Sequence, residues 1–204
     1  MIRGPQYKIA RRLGAHLFEK TQTQKFAARA QRKGRATQSK HPSSRTDFGM
    51  QLLEKQKLRV AYGISERQFS RYVKDAVAKK NANSIEKLNE RLETRLDNVV
   101  YRSGFAPTRA GGRQMVSHGH FLVNGKRVTI PSYAVKKGDI ISIREGSKNA
   151  GIFNSLIERI TERKSPEWLT VDSALRQVTI SAMPSAGGID INFNLAAVVE
   201  FYSR

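Results

Sequence analysis

Hydrophobic positions recur along this chain at two different spacings, and the change of period divides it. After Phe48, the residues Leu52, Leu53 and Val60 fall at helical spacing, and Gly63 stands where a left-handed residue closes a helix. Ser65-Glu66-Arg67-Gln68 has the form of a capping box, with Ser at the N-cap and Gln three residues on. It opens a stripe of Phe69, Tyr72, Val73, Ala76 and Val77, one apolar face of a second helix. Asn83 caps a third, whose stripe Leu88, Leu92, Leu96, Val99 and Val100 runs on to Gly104. Pro107 cannot continue that helix, and Thr108 caps a fourth with Met115 and Val116 as its apolar positions.

Beyond Gly119 the period falls to two. Phe121 and Val123 alternate, Asn124-Gly125 is a type I′ hairpin signal, and Val128 and Ile130 alternate on the return. A third strand runs from Ile140 to Ile143, entered through Gly138-Asp139. Ile152, Phe153, Leu156, Ile157 and Ile160 predict one more amphipathic helix. The last forty residues read as β, with strands at Trp168 to Val171, Val178 to Ala182, Ile189 to Phe193 and Val198 to Phe201. Residues 1–46 are poor in aliphatics, with one short helix expected from Arg11 to Lys20 carrying Leu13, Leu17 and Phe18 on one side. The rest of that stretch is expected to order on a partner. The class is therefore α+β: a helical part followed by helices mixed with antiparallel strands.

Charge changes the picture. The 204 residues hold 37 Lys and Arg against 17 Asp and Glu, a net of +20. Residues 1–46 carry 12 basic groups and one acid, Glu19, whereas residues 163–204 carry four of each. Such a surplus repels itself in a compact state and points to a polyanionic partner. A membrane surface would want aromatic anchors on a basic helix, but the one Trp, Trp168, lies in the neutral segment. No apolar run approaches the ~18 residues of a membrane span. Residues 1–18 lack a secretory apolar stretch, yet carry Arg and no acid, which leaves a transit peptide open.

Catalytic chemistry finds little support. Cysteine is absent, so disulfides, Cys-containing zinc sites and thiol catalysis are excluded. His118 and His120 straddle Gly119 with no Cys or acid beside them to complete a metal site. Gly119 to Lys126 resembles a phosphate loop only superficially, with one residue too many between its glycines and Arg127 where a hydroxyl should stand. No catalytic residue, metal or cofactor is expected. Polyanion binding is better supported. Thr108, Arg109, Arg113 and Gln114 open a helix whose N-terminal N–H groups suit a phosphate. Arg109 and Arg113 share a face and repel unless an anion lies between them. Ser117 and His118 end that helix, and Lys126 and Arg127 follow on the hairpin. No zinc finger, basic zipper or homeodomain pattern favours DNA, and the aromatics of a single-strand platform are missing, so structured RNA is the expected ligand.

Two stretches carry a family resemblance. Arg95-Leu96-Asp97-Asn98-Val99-Val100-Tyr101-Arg102, Gly104-Phe105-Ala106, Thr108-Arg109-Ala110, Arg113-Gln114-Met115-Val116-Ser117-His118-Gly119 and Val123-Asn124-Gly125-Lys126-Arg127-Val128 resemble the S4 RNA-binding domain. Phe48-Gly49-Met50-Gln51-Leu52-Leu53-Glu54-Lys55-Gln56-Lys57-Leu58-Arg59, Tyr62-Gly63 and Glu66-Arg67-Gln68-Phe69 resemble the helical domain of the bacterial-type ribosomal protein S4 family. Gly4-Pro5, Arg11-Arg12-Leu13-Gly14 and Glu200-Phe201-Tyr202-Ser203-Arg204 do the same at the two ends. The resemblance implies a basic extension over 1–46, a helical domain over 47–93, an S4 domain over 94–188, and a tail over 189–204 that returns to the helical domain.

It also implies a role. Such a protein binds the five-prime domain of small-subunit rRNA, nucleates assembly of the subunit body, and touches ribosomal proteins S5 and S3 where mRNA enters, with an influence on accuracy. To the rRNA face it adds Arg11, Arg12, Lys55, Lys57, Arg59 and Arg67, and to the mRNA path Lys33, Arg35, Lys40 and Arg45. The compartment implied is the cytoplasm, with an organelle as the alternative. An S4-domain RNA-modifying enzyme or a free RNA-binding regulator is the other function class. Many relatives hold zinc through N-terminal cysteines, which this chain lacks. Gly111-Gly112 is a second departure, costing roughly 2 kcal/mol against alanines, so either RNA backbone approaches there or the helix frays when free.

Overall fold

The structure, a computed structural model, describes residues 5–13, 17–18, 21, 23–29, 46–78, 83–163, 165–185 and 193–203. The chain divides into two compact units, Met1–Ile85 with Ile191–Arg204, and Glu86–Asp190.

The first unit is helical: α1 (Gln6–Leu13), α2 (24–29), α3 (Asp47–Tyr62), α4 (Glu66–Val77) and, from the far end of the chain, α9 (Leu195–Ser203). Helix α3 starts where Thr46 Oγ1 accepts from the Gly49 N–H at 3.2 Å, and ends at Gly63 with φ 63°. Ser65 caps α4 by accepting from the Gln68 N–H at 3.3 Å, but the Gln68 side chain turns away to donate to Tyr72 Oη, so the box is half made. Leu58 of α3 and Phe69 and Val73 of α4 are fully buried.

Two expectations fail in this unit. The first helix lies earlier than expected: Lys8 and Ile9 N–H groups bond back to the Pro5 carbonyl, Ala10 and Leu13 are buried, and Leu17 and Phe18 stand beyond it unhelical. Pro at a helix start costs no hydrogen bond, so it fixes the beginning there. The run Val198 to Phe201 is helix α9, not strand. Asn194 Oδ1 accepts from the Ala197 N–H at 3.0 Å and sets the first turn. A short apolar run suits a buried helix as well as a strand, and here the partner decides. Helix α9 packs on α3 and α4, with Leu195 and Val198 buried and Phe201 5.5 Å from Phe48 between ring centroids. The strand expected at Ile189 to Phe193 falls on residues outside the described set, apart from Phe193, which is not in a strand.

A polar latch holds α9. Tyr202 Oη donates to Glu66 Oε1 at 2.7 Å, and Lys55 Nζ donates to the same oxygen at 2.8 Å while lying 4.7 Å from the Phe201 ring centroid. Burial alone would raise the Glu66 carboxyl, but the hydrogen bonds from Lys55 and Tyr202 and the charges of Lys55 and Arg59 hold it below its usual value. Burial, and then Glu66 itself, push the Tyr202 phenol up.

The second unit carries α5 (Ser84–Glu93), which begins at the division, then α6 (Leu96–Arg102), α7 (Arg109–Ser117), β1 (Phe121–Val123), β2 (Lys126–Arg127), β3 (Ile140–Ile143), α8 (Leu156–Glu162), β4 (Leu169–Asp172) and β5 (Gln177–Ile180). The strands form an antiparallel sheet in the order β2-β1-β3-β5-β4. Asn124 (φ 50°) and Gly125 (φ 78°) make the I′ turn, whose two positive φ values match the twist of the strands. The Asn124 side chain also ties the hairpin to β3, accepting from the Ile140 N–H at 2.9 Å and donating to Asp139 Oδ1 at 2.8 Å.

Three features differ from expectation here. The single helix expected from Asn83 to Gly104 is two, because the chain is extended at Arg95 and its neighbours bond elsewhere. Leu96 and Asp97 N–H groups donate to the Tyr133 and Pro131 carbonyls at 2.9 and 3.1 Å, and the Thr94 carbonyl accepts from Val135. The return strand stops at Arg127, leaving Ile130 exposed, since the Ile130–Tyr133 turn carries the chain back to α6. The apolar run from Ile152 breaks at Ser155 (φ −97°, ψ 25°), so Phe153 and Leu156 are buried while Ile152 and Ile157 face outward. The core gathers Leu96, Val100, Val116, Phe121, Ile141 and Leu156 between the helices and one sheet face.

Gly112 explains itself by packing. A Cβ at this buried position would stand 2.7 Å from the Asp97 carbonyl oxygen, closer than such atoms ever come, so its bare backbone lets α7 lie directly on α6. Neither RNA approach nor fraying is needed. We expect Gly112→Ala to destabilise the chain by about 1–3 kcal/mol in urea unfolding, since overpacking outweighs the gain in helix propensity. A neutral or stabilising result would remove the contact from the account. The latch gives a pH expectation. Glu66 has a depressed folded pKa, so its stabilisation is full above its ordinary value of 4.5 and is lost as pH falls through the lower folded value. Tyr202→Phe should flatten that acid limb of the melting midpoint.

Candidate nucleic-acid interface

Charged residues inside the apolar stripe of α6 form a buried base. The Asp97 side chain, 4% exposed, accepts from Arg95 (Nε to Oδ1 3.0 Å, Nη2 to Oδ2 2.7 Å) and from Arg113 (Nε and Nη2 to Oδ2, 2.9 and 2.7 Å). Glu93, 1% exposed, takes Arg102 on both oxygens at 2.9 Å and Asn98 Nδ2 at 3.1 Å. Asn98 Oδ1 then accepts from Arg109 Nε at 2.9 Å, and the Arg109 guanidinium lies 4.6 Å from the Tyr101 ring centroid. Arg109 and Arg113 were expected to share an exposed face and repel. Instead they are drawn to different acceptors, and Arg113 is clamped to a buried acid with 27% of its side chain exposed.

From this base a polar face runs outward. Thr108 Oγ1 accepts from the Gly111 N–H at 2.9 Å and so serves as the cap of α7. Gln114, Ser117 and His118 are exposed towards its far end, and Lys126 and Arg127 are exposed on β2. The hairpin and α7 are joined there, since Arg127 Nη2 donates to the His118 carbonyl at 3.3 Å. Among the described residues Lys126, Arg127, Lys136 and Lys137 form no ion pair. His120 is half-buried, with Nδ1 3.0 Å from Ser147 Oγ. Burial, then the charges of His118, Arg144 and Arg127, hold its imidazole below its usual value, which favours the neutral ring. Among the described residues no group of His, Cys, Asp and Glu is placed to hold a metal.

In the first unit Arg11 and Arg12 are exposed at the end of α1, and Arg67 at the start of α4. Arg11 Nε donates to the Tyr7 carbonyl at 3.2 Å. Lys57 pairs with Glu54 at 2.6 Å, and Arg59 donates to Gln56 at 2.8 Å and lies 3.4 Å from Glu66. Lys55 is 7% exposed and spent on the α9 latch. Lys33, Arg35, Lys40 and Arg45 lie outside the described residues. Sequence reasoning passed over the roles of Glu93, Arg95 and Arg102, and of Arg159 on α8 and Arg163 at its end. The signal was present for the first three: ionisable residues interleaved with Leu92, Leu96, Val99 and Val100 need partners when buried.

A family model described as the ribosomal protein S4/S9 N-terminal domain matches residues 1–93, and one described as the S4 domain matches residues 94–141. The chain is 42% identical over 203 residues to the small ribosomal subunit protein uS4 of Chlorobaculum tepidum, covering 100% of this chain and 98% of that one. It is 43% identical over 202 residues to the uS4 of Hahella chejuensis, covering 98% of each. With both domains matched in order and relatives similar from end to end, the chain belongs to the ribosomal protein S4 family.

Proposed function

We propose that this chain is a structural constituent of the small ribosomal subunit and no enzyme, and that it binds rRNA through its second unit by phosphate contacts on α7 and the β1–β2 hairpin. The relatives carry the name of a small ribosomal subunit protein along their whole length. The observation that supports the contact surface is the run of exposed cations Lys126, Arg127, Lys136 and Lys137, which form no ion pair among the described residues, beside an α7 held to a buried acid through Arg113. Fixed charges on a rigid mount suit an RNA of fixed shape, read through phosphates and groove form rather than base edges. Gln114, Ser117 and His118 supply further polar groups along α7 and at its end. Arg11, Arg12 and Arg67 extend the contact in the first unit.

The finer reading follows the family resemblance. The rRNA target is the five-prime domain, binding there nucleates the subunit body, S5 and S3 are neighbours, and the basic stretch with Lys33, Arg35, Lys40 and Arg45 borders the path of incoming mRNA. The setting is the cytoplasmic ribosome. Such a strip, its charges spaced by Gly, Ser and Pro, can hold single-stranded phosphates without reading bases.

Binding to a small-subunit rRNA fragment should exceed binding to random duplex DNA at equal salt, and should fall steeply as salt rises, as for neutralisation of ~6–10 phosphates. A salt slope near zero would overturn the phosphate mechanism. Arg113→Ala should weaken binding and lower stability together, by about 1–3 kcal/mol in unfolding, because the Asp97 carboxylate loses a partner. Wild-type stability in that variant would show the clamp to be idle. Replacing Lys33, Arg35, Lys40 and Arg45 together with Gln should slow translation through mRNA hairpins while leaving subunit assembly largely intact. Failed assembly without a defect on structured messages would assign those residues to rRNA instead.

A further inference from the structure

Helix α8 and the residue that ends it present two arginines that no carboxylate among the described residues reaches within ion-pair distance: Arg159 and Arg163. They sit four apart in sequence across the end of α8, close enough for like charges to repel. Their proximity is felt: burial, and then the charge of Arg163, lower the Arg159 guanidinium's affinity for its proton. The exposed acids of the same helix, Glu158 and Glu162, do not pair with them.

Both guanidiniums are nevertheless held in place. Arg163 Nη1 donates to the carbonyls of Tyr101 and Ala106 at 2.7 and 3.2 Å, and Nη2 to that of Pro107 at 3.3 Å. Its Cζ stands 4.2 Å from the Tyr101 ring centroid, the ring that Arg109 of α7 also covers. Arg159 donates from Nη1 to Ser155 Oγ at 3.1 Å and from Nη2 to the Ile152 carbonyl at 3.1 Å. Its Nε has no acceptor. Helix α8 can come this close because Gly104, at φ 82°, has no side chain; a Cβ there would lie 3.1 Å from the Arg159 carbonyl oxygen.

A guanidinium has five N–H donors, and Arg163 spends three on carbonyls. Neutral carbonyls orient a cation without cancelling its charge. Arg159 and Arg163 thus stand together at the 101–107 loop with no acid among the described residues paired to either. Guanidiniums match phosphate oxygens in a planar fork, and a mount of carbonyls and a stacked ring spares the entropy of ordering them.

We propose that Arg159 and Arg163 form a phosphate clasp that takes one backbone phosphate of the RNA and extends the RNA-contacting face from the start of α7 onto α8 and the residue that ends it. The clasp rests on the RNA-binding reading above. A phosphate fits it better than a base, since the Tyr101 ring is already covered by cations.

The test uses the full chain, a small-subunit rRNA fragment and the salt dependence of binding. Arg159→Gln and Arg163→Gln are made separately, so that loss of folding in one leaves the other readable, and melting is followed for each. Each is expected to lower the slope of log affinity against log salt by about one and to weaken binding roughly tenfold near physiological salt. Arg159→Lys should restore the slope, as it keeps the charge. A folded variant with an unchanged slope overturns the clasp, and poorer incorporation into subunits at unchanged slope would give the cluster to an acidic protein neighbour. Wild-type chain that fails to bind the fragment at all overturns the RNA-binding reading instead, so the two failures are told apart.

Discussion

A carboxylate as deeply buried as that of Asp97 costs several kcal/mol to dehydrate, and its cost is offset by guanidiniums that meet it from two elements. Arg95 comes from the break between α5 and α6, and Arg113 comes from α7. The same residue's carbonyl is the floor against which Gly112 lies. One residue therefore fixes both the side-chain clamp and the backbone spacing of the two helices. What faces outward from α7, including the cap at Thr108 and the end at His118, inherits its position from that contact. Glu93, at the end of α5, does a parallel service, joining Arg102, Asn98 and through Asn98 Arg109. Replacing either acid by a neutral residue takes the carboxylate away from a buried guanidinium, which is the costly case among buried pairs.

This division of labour alters how a surplus of positive charge is read. A net of +20 points to a polyanion, but several of the cations that the sequence singles out for RNA are already bound within the protein. Lys55 and Arg59 hold Glu66, Lys57 holds Glu54, and Arg113 holds Asp97. A cation that is paired at the mount and one that is bare at the surface look alike in sequence. Structure separates them by asking where the acids are.

Much of the fold was legible in the chain itself. The caps at Ser65 and Thr108 and the turn at Asn124-Gly125 rest on local chemistry that needs no partner, and they stand as read. What was misread depended on contacts distant in sequence. The break at Arg95 exists because the 131–135 segment supplies carbonyls and an amide to that point, and no periodicity within the stripe could show it. Helix α9 was taken for a strand because four apolar residues in a row suit either state until α3 and α4 are there to receive one face. Of the candidate site, the α7 and hairpin positions came from spacing and cap signals. Arg159 and Arg163 were silent, because a basic residue on or beside an amphipathic helix ordinarily signifies only a solvated face.

Arginine rather than lysine recurs at each of these joints for a physical reason. A planar fork can bond two oxygens of an acid, as Arg95 and Arg102 do, or lie on a ring while donating along its edge, as Arg109 and Arg163 do over Tyr101. A lysine in the same place would keep the charge but lose the second contact that sets direction. Where the acceptors are carboxylates the fork is satisfied and becomes architecture. Where they are backbone carbonyls the fork is aimed while its charge persists, and it remains able to meet an anion from outside. The same side chain thus builds the mount and arms the surface, and which it does is decided by whether an Asp or Glu lies within reach.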